Sequence, residues 1–159
     1  MTRLAITGHR GLPEHTERLV DKALRAEIAR HGDGELIGLS AIADGADTLF
    51  AQAVLDRGGS LVVIIPAERY RAGLPADHHA TYDALLARAS RVIKLDHVES
   101  TSEAHMDASI RMLEEADHVV AVWDGQPARG YGGTADVVDA ARKAGTPVTV
   151  IWPPGASRG

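Results

Sequence analysis

Cysteine is absent from the 159-residue chain. That excludes disulfides and any thiolate metal site, and it agrees with a cytoplasmic protein. Aromatic residues are scarce, with one Phe, two Trp and three Tyr. Base-stacking platforms for single-stranded nucleic acid are therefore not expected. No apolar run approaches the roughly 18 residues that a membrane span needs, so no membrane association is expected. The opening MTRLAITGHR passes straight into a strand-like segment, and no signal peptide is expected. A basic surplus is missing as well: 17 Lys and Arg stand against 22 Asp and Glu, for a formal net charge of -5. Binding to nucleic acid depends on neutralising phosphates with Lys and Arg, so the expectation is that nucleic acid is not a partner. One small phosphate in a local pocket stays compatible with that charge.

What is present is an ordinary globular balance, 45% hydrophobic and 25% charged. The length suits one domain with a real core, expected to span residues 1–159. There is no internal repeat and no low-complexity linker. Short apolar runs alternate with helical patterns. LAIT (Leu4 to Thr7), ELIGLS (Glu35 to Ser40), LVVII (Leu61 to Ile65), RVIKL (Arg91 to Leu95), HVVAVW (His118 to Trp123) and PVTVIW (Pro147 to Trp152) read as strands. Helices are expected between them, one beginning at Ser102 as N-cap and one beginning at about Ala135. Such alternation predicts a Rossmann-like three-layer α/β fold, with a mostly parallel sheet and helices on both faces. Ligands of such sheets bind at the carboxyl ends of the strands, near the point where strand order reverses.

Four loops follow strands and carry informative residues. In TGHRG, Gly8 would let the backbone approach a ligand, His9 titrates near neutrality, and Arg10 offers a forked guanidinium to a phosphate. In SAIADGAD, Ser40 stands at a strand tip and Gly45 opens a helix; Asp44 is a candidate cap, and Asp47 a partner for ribose hydroxyls. In WDG, Asp124 can bond a sugar hydroxyl or its own backbone. In GYGGT, the amides of Gly130, Gly132, Gly133 and Thr134 precede a helix, where successive N–H groups make an anion site. Asp136 follows in the first helical turn. Past the last strand, the tail bearing Arg158 is expected to be mobile, with the arginine a candidate for the pocket rim. His78 and His79 are adjacent on a helix and point in different directions, and His105 reads as part of a solvated face. No metal site and no resident cofactor are expected.

Taken in order, ITGHRG, SAIADGAD, EEADHVVAVWDG and GGTADVVDAARKAGTPVTVIWP resemble the SLOG superfamily over nearly the whole chain. This groups the DNA-processing protein A family with the LOG cytokinin-activating enzymes, and includes many bacterial members. The resemblance implies a Rossmann-like fold that binds or senses a nucleotide-like small ligand, and a homodimer or higher homo-oligomer. The LOG branch cleaves nucleoside monophosphates to free base and ribose 5-phosphate, through a PGGxGTxxE motif. Against it stands RGYGGTADV: Thr134 takes the threonine position, and the glutamate position falls on Val137, which cannot ionise. A phosphoribohydrolase or a nucleoside (deoxy)ribosyltransferase would have to recruit another carboxylate, with Asp124 and Asp136 as the candidates, and Asp47 beside Asp124 for the transferase.

Overall fold

The computed structural model describes residues 1–32 and 34–159. Six strands alternate with five helices: β1 (Thr2–Gly8), α1 (Glu14–Arg30), β2 (Leu36–Ser40), α2 (Ala46–Asp56), β3 (Ser60–Ile65), α3 (His79–Ala87), β4 (Arg91–Lys94), α4 (Ser102–Glu115), β5 (His118–Val122), α5 (Thr134–Lys143) and β6 (Val148–Ile151). The strands form one sheet in the order β4-β3-β2-β1-β5-β6. Every neighbouring pair is parallel. The expected α/β sheet is thus the observed one, and wholly parallel rather than mostly so.

The alternation of side chains along each strand divides the core. Leu4 and Ile6 of β1, with Val120 and Val122 of β5, pack with Val20 and Leu24 of α1 and Phe50 and Val54 of α2. Ala5 of β1 and Val119 of β5 pack on the opposite face with Ala108 and Met112 of α4 and Ala141 of α5. Leu61 and Val63 of β3 join a third cluster with Tyr82 and Leu85 of α3. A strand with both faces covered must be apolar on both, which explains the unbroken runs in the sequence.

Two glycines set where α2 lies. A Cβ on Gly8 would stand 2.5 Å from Ala46 Cβ and 2.9 Å from Val122 Cβ. One on Gly38 would stand 2.7 Å from Val54 Cγ2. Both positions lack a side chain because α2 is sunk onto the sheet there. Its first turn is thereby carried up to the tip of β1, where the Ala46 amide donates to the His9 carbonyl at 3.2 Å.

Two capping expectations need correction. The cap of α4 is Thr101, whose side chain accepts from the Ala104 amide, and Ser102 is the first helical residue. The N-cap of α2 is Gly45, at φ 88. Asp44 is not available as a cap, because its carboxylate accepts from Arg10 Nε at 2.9 Å and from the Gly11 amide at 3.0 Å. The N-cap of α5 is Gly133, which leaves Thr134 as the opening residue of the helix.

Candidate ligand site

Strand order reverses at β1: the chain runs outward through β2, β3 and β4, then returns to place β5 on the other side. A cleft of about 340 Å³ opens at the carboxyl ends beside this point. That volume lies at the small end of the range for ligand pockets. Its walls come from the loop after β1, the first turn of α2, the face of α4, the loop before α5 and the C-terminal tail.

His9 ties the two central strands together. The Asp124 amide donates to its Nε2 at 3.0 Å. A ring that accepts at Nε2 carries its proton on Nδ1, which faces Thr134 Oγ1 at 3.4 Å, a long and weak contact. Trp152 meets the ring edge-on at 5.5 Å. Burial, and then the Arg158 charge, lower the pKa of His9 despite the opposing pull of Asp124. The neutral ring is the state this geometry needs.

Asp124 is a bracket for the same junction. One carboxylate oxygen accepts from the Gln126 amide at 3.0 Å, closing the turn after β5. The other lies 3.8 Å from Arg158 Nη1. Burial works against its ionisation, but the Gln126 amide, His9 and Arg158 outweigh burial and hold its carboxyl below the usual range. Asp136 is likewise occupied, accepting from the Gly132 amide at 2.9 Å. Ser40 is fully buried, and its hydroxyl bridges the Ile42 amide and the Asp47 carbonyl. Gly45 abuts the backbone of His9 and Arg10, where a Cβ would come within 2.5 Å of the His9 carbonyl. These four shape the loops from behind, whereas Gly8, His9, Arg10, Asp47, Gly130, Gly132, Gly133 and Thr134 border the cleft itself.

The glycine loop is held by its own contacts. The Gly133 amide donates to the Gly130 carbonyl at 3.3 Å, and Gly132, at φ +83, lies against the start of α4. Two amides of the loop are thereby spent. Those of Thr134 and Ala135 have no acceptor among the described residues, and both residues border the cleft.

Three bordering residues, Arg129, Tyr70 and His105, carry no strong signal in the sequence, and they are joined by Arg158, the rim candidate of the tail. Arg158 is the most telling. Its tail is pinned rather than mobile, because Thr16 Oγ1 donates to the Ser157 carbonyl at 2.8 Å and accepts from the Ser157 amide at 3.0 Å. Arg158 Nε is buried and has no hydrogen-bond partner among the described residues. A buried guanidinium N–H without an acceptor is costly, so it marks a place where an acceptor is wanted. Arg129 stands on the glycine loop across the same cleft. Tyr70 is buried against His105, ring to ring at 5.6 Å. His105 is therefore not part of a solvated face. Its Nε2 lies 2.7 Å from Ser100 Oγ, and burial followed by the Arg10 charge lowers its pKa.

Asp47 faces the cleft among these groups. Burial pushes its carboxyl up to about 7, against the lowering effects of the Ala43 amide and the Arg10 charge. The side chain still meets some cleft water, so the penalty on its ionised form is below that of a fully enclosed acid. Near neutral pH the cleft therefore holds three arginines, two neutral histidines and one half-ionised aspartate. Behind the lining, Asp44 pairs with Arg10 and Asp124 lies near Arg158, so the arginines face the cleft with acids at their backs.

No protein-family model matches the chain, and no curated protein matches it in sequence. Among solved structures, DNA processing protein A (DprA) from Streptococcus pneumoniae is similar at 16% identity and TM-score 0.72, with 98% of this chain and 52% of that protein covered. The two share a fold over nearly the whole of this chain. The chain spans about half the length of the pneumococcal protein. DNA processing protein A from Helicobacter pylori aligns at 16% identity and TM-score 0.70, over 98% of this chain and 68% of that protein. The molybdenum cofactor binding protein of the phototrophic bacterium Rippkaea orientalis aligns at 16% identity and TM-score 0.60, over 94% and 75%.

One expectation is overturned by this comparison. The Helicobacter protein has a single-stranded DNA binding mode on a fold like this one, so the exclusion of nucleic acid from net charge fails. The physical reason is that net charge is a sum over the whole surface. A strip of arginines at the strand ends can face phosphates while acids elsewhere set the total.

Proposed function

We propose that residues 1–159 form one ligand-binding domain whose cleft takes a phosphorylated nucleoside or a close derivative. The observation that carries this reading is the buried Arg158 Nε, without a partner among the described residues, on a residue that borders the same cleft as the free amides at the start of α5. A phosphate there would accept from Arg158, from the Thr134 and Ala135 amides and from the Thr134 hydroxyl. Arg129 and Arg10 would close the charge from the two sides. Helix N-termini with forked guanidinium groups suit phosphate in both charge and geometry. The exposed ring of Tyr131, at the cleft border, offers a face on which a base can stack. Asp47 would bond ribose hydroxyls.

The test is a thermal-shift and calorimetric titration with nucleoside mono- and diphosphates, ADP-ribose, ribose 5-phosphate and a short oligothymidylate. A native-state ligand raises the melting temperature by mass action. Binding of a mononucleotide is expected, at least ~10-fold weaker in Arg158→Ala and in Thr134→Val, since a charge-assisted bond contributes about 1.5–3 kcal/mol. Binding of the oligonucleotide without any mononucleotide would replace this reading with one of a polymer.

A second reading rests on Asp47. A carboxyl that titrates near 7 can give and take a proton at neutral pH. In a cleft that holds a nucleotide, it is the group placed to assist N-glycosidic cleavage, in place of the glutamate that Val137 displaces. Val137 is buried and Asp136 and Asp124 are committed to backbone amides. Release of free base from a nucleoside monophosphate, abolished in Asp47→Asn with binding retained, would establish this reading. No release over the panel leaves binding alone.

A further inference from the structure

The opposite end of the sheet carries a second cluster. Glu27 and His31 stand one turn apart on α1, four residues being the spacing that puts two side chains on one helix face. His118 opens β5, at the end of that strand remote from the cleft. One ligand atom from each lies within 4.8 Å of the other two, and among the described residues this is the one such group of three. Glu27 Oε2 is 2.9 Å from His31 Nε2, and the His31 and His118 rings are 4.9 Å apart.

We propose that Glu27, His31 and His118 form a binding site for a divalent transition-metal ion of the zinc type. Two imidazoles and a carboxylate are a borderline donor set, suited to zinc and its d-block neighbours. Calcium and magnesium want six or more oxygens and are not matched. A tetrahedral ion with ligands at about 2.0–2.1 Å needs donors about 3.4 Å apart. Glu27 and His31 have to separate by a few tenths of an ångström, and the widest pair has to close by roughly 1.4 Å, within the reach of side-chain torsions. Water would take the fourth position.

Two features of the surroundings support the assignment. Glu27 is nearly fully buried, and a buried carboxylate needs a strong cationic partner. Its other cation, Arg30, is 3.5 Å away on a side chain 78% exposed to water, and can swing aside. Thr149 Oγ1, 2.6 Å from His118 Nε2, orients that ring from β6. The ion would tie the last turn of α1 to the start of β5.

The untagged full chain, stripped of metal with a chelator, is titrated with zinc by calorimetry and with cobalt by visible absorption. One saturable site per chain is expected, with a raised melting temperature and the intense cobalt absorption of four-coordinate geometry. His118→Gln and His31→Gln should each weaken binding by more than the roughly 10–100-fold that loss of an outer partner costs. His97→Gln, which breaks the exposed His97–Asp107 pair, should leave it unchanged. Unsaturable or multiple weak binding, or a zinc affinity that survives both His31→Gln and His118→Gln, would overturn the site and leave a Glu27–His31 hydrogen bond at a helix end. Should His118→Gln fail to fold by circular dichroism, His31→Gln at the partly exposed end of α1 decides alone.

Discussion

Asp47 and His9 pull stability in opposite directions with pH. The folded pKa of Asp47 is raised to about 7 from 3.8, so its contribution is fully present below about pH 4 and is lost as pH rises through 7. The folded pKa of His9 is depressed, so its contribution is present above about pH 6.5 and is lost as pH falls. Asp47→Asn should therefore raise the melting temperature at about pH 8 and have little effect below about pH 4. A gain of about 1–2 kcal/mol is expected, less than full burial of the acid implies because cleft water reaches it. Parallel melts over that range check it, and an equal change at both ends would show that ionisation of Asp47 is not the cause. Gly8 makes a sharper case. Its missing Cβ is what lets α2 approach β1, so Gly8→Ala should cost about 1–3 kcal/mol in urea unfolding. It should also weaken ligand binding, because α2 carries Asp47. In the sequence Gly8 reads as a place where the backbone approaches a ligand; it borders the cleft, and its missing side chain also makes room for Ala46 and Val122.

At the scale of elements, the strands were legible because a sheet covered on both faces demands unbroken apolar runs, and LVVII and HVVAVW supply them. Helix starts were legible only to within a residue. Thr101 and Ser102 are both good caps by type, and only the hydrogen bond to the Ala104 amide separates them. Thr101→Ala should cost about 1 kcal/mol while Ser102→Ala is close to neutral, measured by chemical denaturation. The cleft border was harder to read. Arg129 sits within the quoted glycine loop and could have been found by asking what neighbours a phosphate. Tyr70 follows β3 and passes the same strand-end criterion that selected the other loops. His105 comes from the first turn of α4, and Arg158 from a tail beyond the last strand. Neither position has a local pattern, because what places them is tertiary: the Tyr70 ring for one and Thr16 for the other.

For the molecule as a whole, charge is distributed unevenly. A chain of net charge -5 gathers Arg10, Arg129 and Arg158 at one end of its sheet. Removing residues 156–159 should take away Arg158 together with the Ser157–Thr16 clamp, lowering both melting temperature and affinity for phosphate. Arg158→Ala alone should lower only the affinity, and the difference between the two variants measures the clamp. Among the described residues no helix is long and apolar enough to cross a membrane.

The strand order also sets a sequence of events during synthesis. β1 is made first, yet it is a central strand, and its second neighbour β5 does not exist until residue 118 has left the ribosome. Until then β1 presents an open apolar edge, of the kind that recruits strands from other chains. The first four strands are thus a half-sheet waiting for its partner. A chain that stops short of His118 should aggregate through that edge, whereas one that reaches Val122 closes it, and with the same strand brings Asp124 to His9.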